Sequence, residues 1–472
     1  GTDADVTIDG GTTALIIAAS TIDGDLTLTS GNSSGITDSG TVTVGGNFSA
    51  TTDANSGVIN MGTMAVDGSF TLAPNSTGAV TIVNDAGLNL AASTMGGTFS
   101  GTATTGNITD SGALAITGTT TLVTSADDAT ITLDTTTNAF TGALTITTND
   151  SSGTDADVTI DGGTTALIIA ASTIDGDLTL TSGNSSGITD SGTVTVGGNL
   201  SATTDANNGV IDLGTAAVDG TVALTTNGNG AATIVNDAGL NFTTSTVTGA
   251  LSATATTGDI TDSGNLTITG AATFITGVDE SNIVLDSSGN AFSNSVEMRA
   301  DAGGEDFGNI TFVDSAGIDF ATSAGSNGDL FINSSTDGTV GGNLSVTATT
   351  GNITDTVAVV TTGSSTSSFT TSATNGTIDL STPASLAGAV TINTTGASGN
   401  ATIDNGTTAL IIAASSIGGN LTLTSGAAAG ITDTGTVTVG GNLVATTDAN
   451  NGVINLGTMA IDGTVALTTN GN

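Results

Sequence analysis

Apolar and hydroxyl-bearing residues alternate along the chain in runs too short for helices. Leu26-Thr27-Leu28-Thr29 is followed by Gly35-Ile36-Thr37-Asp38 and then by Thr41-Val42-Thr43-Val44, with Gly31-Asn32-Ser33-Ser34 reading as a turn between the first two. Period-two alternation predicts three strands, with Leu26, Leu28, Ile36, Val42 and Val44 on one side and Thr27, Thr29, Thr41 and Thr43 opposite. Strands this short cannot bury a face within their own unit. Stacked on the next unit about 4.8 Å away, they form parallel sheets around an aliphatic interior.

The unit recurs. Strands are launched by glycines at Gly24, Gly46 and Gly68, spaced by 22 residues, and the run returns at Gly176, Gly198 and Gly220 (offset 152) and at Gly419, Gly441 and Gly463 (offset 395). Further launches at Gly97, Gly118 and Gly142 leave longer intervals of 29 and 34 residues, which predict larger coils or coils with an extra strand. The modules read as 1–152, 153–304, a shortened 305–395 and a partial 396–472, in one continuous array over 1–472. Gly1 aligns with Gly153 and Asn472 with Asn229, both inside a unit, so the expectation is a segment of a longer protein, or one whose ends are covered by neighbouring molecules.

The fold predicted is all-β: a right-handed parallel β-helix (β-solenoid) of about 20 coils, irregular in coil length. Helix competes poorly, because 69 glycines and abundant Thr, Ser, Asn and Asp each carry a penalty of up to about 1 kcal/mol in a helix interior. Immunoglobulin-like tandem domains need about 100 residues and a bulky core. A 22-residue period with 12 Phe and no Trp or Tyr is too short for them.

Composition narrows function. The 43 acids face a single base, Arg299, for a net charge of −42, and there is no His or Cys. Nucleic acid is excluded as a partner, since each phosphate contact needs Lys or Arg. Membrane insertion is not expected: the longest apolar run, Ala14-Leu15-Ile16-Ile17-Ala18-Ala19, falls far short of the roughly 18 residues of a membrane helix. Without cysteines there is no disulfide framework, which leaves the compartment open.

Candidate chemistry rests on carboxylates alone. Ile-Thr-Asp followed by Ser/Thr-Gly occurs at Asp38, Asp110, Asp190, Asp262 and Asp433, with a variant at Asp355-Thr356. Asp in that position predicts an Asx-type turn, its side chain bonded to a backbone N–H two residues on. The alternative is that the five acids line one edge as Ca2+ ligands, although calcium needs six to eight oxygens and the glycine-rich nonapeptide of calcium-binding β-rolls is absent. No other cofactor is expected. A carbohydrate-active β-helix enzyme ranks last, because Asp85, Asp110, Asp127 and Asp128 recur from module to module while an active site is normally built once. The expectation is therefore no enzyme. Asn at the launches, as at Asn47, Asn199, Asn343, Asn420 and Asn442, suggests stacked amide ladders. The stretch Ser295–Phe307, with Glu297, Arg299 and Glu305, aligns without gaps to Ala143–Asp155 and reads as an ordinary coil.

The phrases Gly-Asn-Ile-Thr-Asp-Ser-Gly-Ala-Leu-Ala-Ile-Thr-Gly-Thr-Thr (106–120) and Gly-Gly-Asn-Leu-Thr-Leu-Thr-Ser-Gly (418–426) resemble repeats of the filamentous haemagglutinin family and similar giant bacterial exoproteins. The resemblance spans nearly the whole chain and rests on repeat style. It implies a right-handed parallel β-helix that is secreted or held at the cell surface as an adhesin shaft or fibre. The expected partners are like chains or adjoining repeats stacked end to end, and a host or neighbouring-cell surface. A self-assembling filament subunit and a calcium-binding β-solenoid are the alternatives.

Overall fold

In the computed structural model, residues 4–151, 155–300, 308–321, 329–332 and 339–471 are described. They contain strands and turns and no helix, and the strands pair in parallel as a β-solenoid of about 20 turns. The chain divides into two compact units, Gly1–Asp237 and Ala238–Asn472.

In the first unit the three expected strands form at Leu26–Ser30, Ile36–Asp38 and Val42–Val44. Leu26, Leu28, Ile36, Val42 and Val44 are all buried. Leu26 pairs with Phe48 and Phe48 with Phe70 on one sheet, while Ile36 pairs with Ile59 and Ile59 with Val80 on the other. The inward column thus continues from turn to turn, and Phe48 and Phe70 meet edge to face at 5.8 Å.

The long glycine intervals are not long coils. Between Gly68 and Gly97, beyond the launch strand, lie Val80–Asn84, Leu88–Leu90 and Ser93–Met95, each stacked in a different sheet. The interval therefore holds one and a half turns, and the launch strand moves to the opposite sheet: Phe99, Thr120 and Leu144 pair there. Val158–Asp161 and Leu167–Ile169 do the same in the 34-residue interval. Coil length still varies, but in the first unit partners on successive turns sit between 19 residues apart (Val80 and Phe99) and 27 apart (Ile131 and Val158). Followed from Leu26 through Phe48 and Phe70 to Leu90, and from Leu88 of that same strand through Ile108, Ile131 and Val158 to Leu178, the 152-residue module makes seven turns for its six launches.

In the second unit, launch strands begin at Leu251, Ala272 and Val296 on one sheet, at Leu344, Ser367 and Val390 on the other, and at Leu421, Leu443 and Val465 back on the first. The stretch 305–395 carries three launches, at Leu344, Ser367 and Val390, where a 152-residue module has six. One of them escapes notice because Ser365-Thr366 stands where glycine stands elsewhere. The register slip lies upstream, where Ile310 pairs with Leu344 and Ile318 with Ile353 across one long turn. Phe274, Phe292 and Phe312 stack successively in this unit's core at 6.1 and 5.1 Å.

Candidate functional site

The launch glycines answer the close approach of the turn before: at Gly97, Gly118 and Gly142 a Cβ would meet the Gly78, Gly97 and Gly118 carbonyls, and at Gly46 and Gly68 a side-chain ladder adds to the crowding. Asp25 Oδ1 accepts Asn47 N–H at 2.7 Å, and Asn47 Oδ1 accepts the N–H and hydroxyl of Ser69 at 2.9 and 2.8 Å. Each side chain leans over the residue just before its N–H donor in the next turn, Asp25 over Gly46 and Asn47 over Gly68. A Cβ on Gly46 would collide with Asp25 Oδ1, and one on Gly68 with the Gly46 carbonyl, so only glycine fits. The same arrangement runs through Asp177, Asn199 and Thr221, and in the second unit through Asn400, Asn420, Asn442 and Thr464. These ladders join side chain to backbone more than amide to amide, although Asn309 Nδ2 does donate to Asn282 Oδ1 at 2.8 Å.

The Ile-Thr-Asp carboxylates follow the same logic. Asp38 Oδ1 accepts Gly62 N–H at 2.9 Å, and its Oδ2 accepts Thr63 N–H at 2.7 Å together with the Thr63 hydroxyl. Asp190 takes the equivalent donors of Gly214 and Thr215, and Asp433 those of Gly457 and Thr458. Asp110 and Asp262 instead accept the side-chain amides of Asn138 and Asn290, each at 2.6 Å. The partners lie 24 to 28 residues on, in the next turn, not two residues on as an Asx turn would have it. Burial alone would raise the Asp38 and Asp433 carboxyls. The Thr hydroxyl and two backbone N–H donors outweigh it and hold both below the ordinary carboxylate range.

Nor do these acids line one edge. Asp38 and Asp190 lie on one sheet of the first unit and Asp110 on the other, while Asp262 and Asp433 share a sheet in the second unit. Asp38 and Asp190 are seven turns apart, roughly 34 Å at about 4.8 Å per turn. Among the described residues no three acids are grouped to hold a metal ion. Asp127, another acid singled out by the sequence, accepts Asn149 Nδ2 at 2.7 Å and Ser151 Oγ at 2.6 Å. Arg299 pairs with Glu297 at 2.5 Å on the outward face of one strand, whose alternate residues Val296 and Met298 are buried as an ordinary coil requires. Glu305 and Phe307 lie outside the described residues.

Sequence reasoning missed a set of buried asparagines. Asn84 Oδ1 accepts Val66 N–H at 2.8 Å while its Nδ2 donates to the Val66 and Gly87 carbonyls at 3.0 and 2.6 Å. Asn405 does the same for Leu386 and Ala409. The available signal was parity: Asn84 ends Val80-Thr81-Ile82-Val83-Asn84 in an inward position. Two acids of the second unit depart from the pattern. Asp314, buried, accepts Phe292 N–H at 3.2 Å, and burial pushes its carboxyl up. Asp355 is pushed up to about 6, chiefly by burial, with the Thr382 N–H opposing and the charge of Asp379 adding to it; its Oδ2 is buried without a partner. A cleft of about 480 Å³ is lined by Phe292, Ile318, Asp319 and Thr354, among others, and there the Thr354 hydroxyl donates to Asp319 at 2.7 Å. No described helix is long and apolar enough to cross a membrane.

The architecture defines a repeat β-solenoid whose recurring polar residues join one turn to the next. Residues 3–65, 77–147, 155–227 and 229–299 match the family described as repeats of unknown function (DUF5649), and the chain belongs to that family. The matches begin about half a module apart, so two family repeats make one seven-turn module and each holds the launches of one sheet. Neither a curated protein nor a solved structure matches the chain.

Proposed function

We propose that this chain is a structural repeat segment of a long fibre, secreted or held at the cell surface, serving as an adhesin shaft or filament in the manner of filamentous haemagglutinin-like exoproteins. The observation that carries the reading is the use made of the recurring acids and amides. Asp38 and Asp190, seven turns apart in the first unit, and Asp433 in the second hold the same kind of donors of the next turn. Residues repeated for stacking serve length, and length is what a shaft supplies. The charge of −42 keeps such an array soluble and opposes lateral clumping. Like chains or adjoining repeats, stacked end to end, are the expected neighbours, and a host or neighbouring-cell surface the expected target.

Antibodies raised against the 472-residue chain should label intact source cells or their medium, and labelling confined to permeabilised cells would overturn the reading. Denaturing electrophoresis of native material separates its two forms. A band far above 44.9 kDa indicates one giant chain, and a band at that mass a filament of subunits.

A further inference from the structure

An asparagine followed by glycine carries the makings of a self-reaction. Its side-chain carbonyl lies within reach of the next backbone nitrogen, and glycine sets no Cβ in the way. At several such pairs in this chain the fold holds the two groups apart. Gly209 N–H donates to the Ala206 carbonyl at 3.1 Å, Gly376 N–H to that of Ala373 at 2.9 Å and Gly452 N–H to that of Ala449 at 3.2 Å. Gly406 N–H donates to Asp404 Oδ1 at 2.9 Å. The asparagine oxygens are committed as well: Asn208 Oδ1 accepts Asn229 N–H at 2.8 Å, Asn375 Oδ1 accepts Ser398 N–H at 3.0 Å and Asn405 Oδ1 accepts Leu386 N–H at 2.7 Å. Bringing carbonyl and nitrogen together at these sites breaks bonds on both sides.

Asn227 and Gly228 are arranged the other way round. Asn227 ends the strand Thr221–Asn227 at an exposed corner, and its Oδ1 accepts the N–H of Gly228 itself at 2.9 Å. The amide carbon that carries this oxygen is thereby held beside the nitrogen able to attack it. The surrounding backbone is fixed, because the Asn227 carbonyl accepts Asn208 N–H at 2.9 Å and Gly230 N–H at 3.1 Å. Stacking also keeps residue 228 a glycine: its φ is +68°, and a Cβ there would lie 2.8 Å from the Asn208 nitrogen of the turn before. Asn294 makes the same contact with Ser295 N–H at 2.8 Å, but Ser295 is buried and its Cβ crowds the nitrogen.

From this geometry we propose that Asn227 is a site of spontaneous modification, at which the chain converts its own amide into a carboxylate. The Gly228 nitrogen bonds to Asn227 Cγ and gives up its proton, the Cγ–Nδ2 bond breaks, and Nδ2 takes a proton and leaves as ammonia, closing a succinimide. Water then opens the ring at either carbonyl. Opening at Cγ leaves aspartate. Opening at the main-chain carbonyl leaves isoaspartate, whose main chain runs through the former side chain and is one methylene longer. In that product the carbonyl that held Asn208 and Gly230 N–H becomes a free carboxylate, so the corner loosens where the turn before rests on it. The inference goes beyond the fibre reading and does not depend on it.

The test incubates the folded 472-residue protein at neutral pH and follows amide loss by mass spectrometry. A protease that cuts before aspartate releases 219–236 with Asn227, 355–378 with Asn375 and 404–432 with Asn405. Aspartate at 227 adds a cut within the first peptide, and isoaspartate gives the same mass gain without the cut. Asn227 should convert at least about tenfold faster than Asn375 and Asn405, into both products, and the three rates should converge in urea, where every pair is free. Asn227→Gln, with an unchanged circular dichroism spectrum, should abolish the added cut and the isoaspartyl peptide together. Equal rates at the three sites in the folded protein, or aspartate at 227 without isoaspartate, would overturn the proposal.

Discussion

Removing the Asp38 carboxylate should loosen the next turn, not its own. In Asp38→Ala, the N–H groups of Gly62 and Thr63 and the Thr63 hydroxyl lose their acceptor. Bonds to a charged acceptor contribute about 1.5–3 kcal/mol each when sealed from water. This site is only half-buried and water can replace the lost oxygen, so about 0.5–1 kcal/mol per bond is the fitting figure, or about 2 kcal/mol together. Hydrogen exchange of the segment 60–66 reads that loss directly, as roughly a 30-fold faster exchange at neutral pH. Asp38→Asn keeps one acceptor oxygen and turns an amide toward a donor, and should fall between. The carboxyl is held below its ordinary value, so its contribution is complete above the unfolded pKa of about 3.9 and is lost as pH falls through the lower folded value. After correction for intrinsic rates, wild type and Asp38→Ala should therefore converge as acidification protonates the folded-state carboxyl. Exchange in 60–66 within twofold of wild type at pH 7 would refute the role assigned to this carboxylate.

Asn84→Ala leaves the Val66 N–H and C=O and the Gly87 C=O without partners in the core, at about 1–3 kcal/mol per group, so local opening of 64–88 should become at least 30-fold more frequent by hydrogen exchange. Asp355→Asn should stabilise its unit at pH 7.5, because a folded pKa of about 6 against an unfolded one of about 3.9 makes the ionised group a burden that grows as pH rises between the two. The gain, read by urea titration, should vanish near pH 4; a gain independent of pH would refute the assignment. Calcium should raise the melting temperature no more than magnesium at equal ionic strength, since the Ile-Thr-Asp carboxylates already hold donors of the next turn and lie on different sheets. A calcium-specific rise of several degrees would restore the metal reading.

Strand positions and the inward set were legible because alternation at period two is local: Leu26, Leu28, Ile36, Val42 and Val44 are buried as their parity demands. The number of turns was not. Glycine stands two residues before most launches, but Gly78 stands likewise before Val80 and Gly87 just before Leu88, and those two strands complete a turn without carrying a launch. The Asp roles were misread for a related reason, since an Asx turn is the local use of that residue and the observed use reaches 24 residues along the chain. What permits a half-turn shift is that either sheet accepts the same motif. Ile36-Thr37-Asp38 sits on one and Ile108-Thr109-Asp110 on the other, both with an inward Ile and an Asp joined to the turn above. A family repeat of three and a half turns can then be duplicated without regard to which sheet receives its launches. Tolerance to substitution should follow the same division, high at outward threonines such as Thr27 and low at Asp38, Gly46 and Asn84, whose partners lie in another turn.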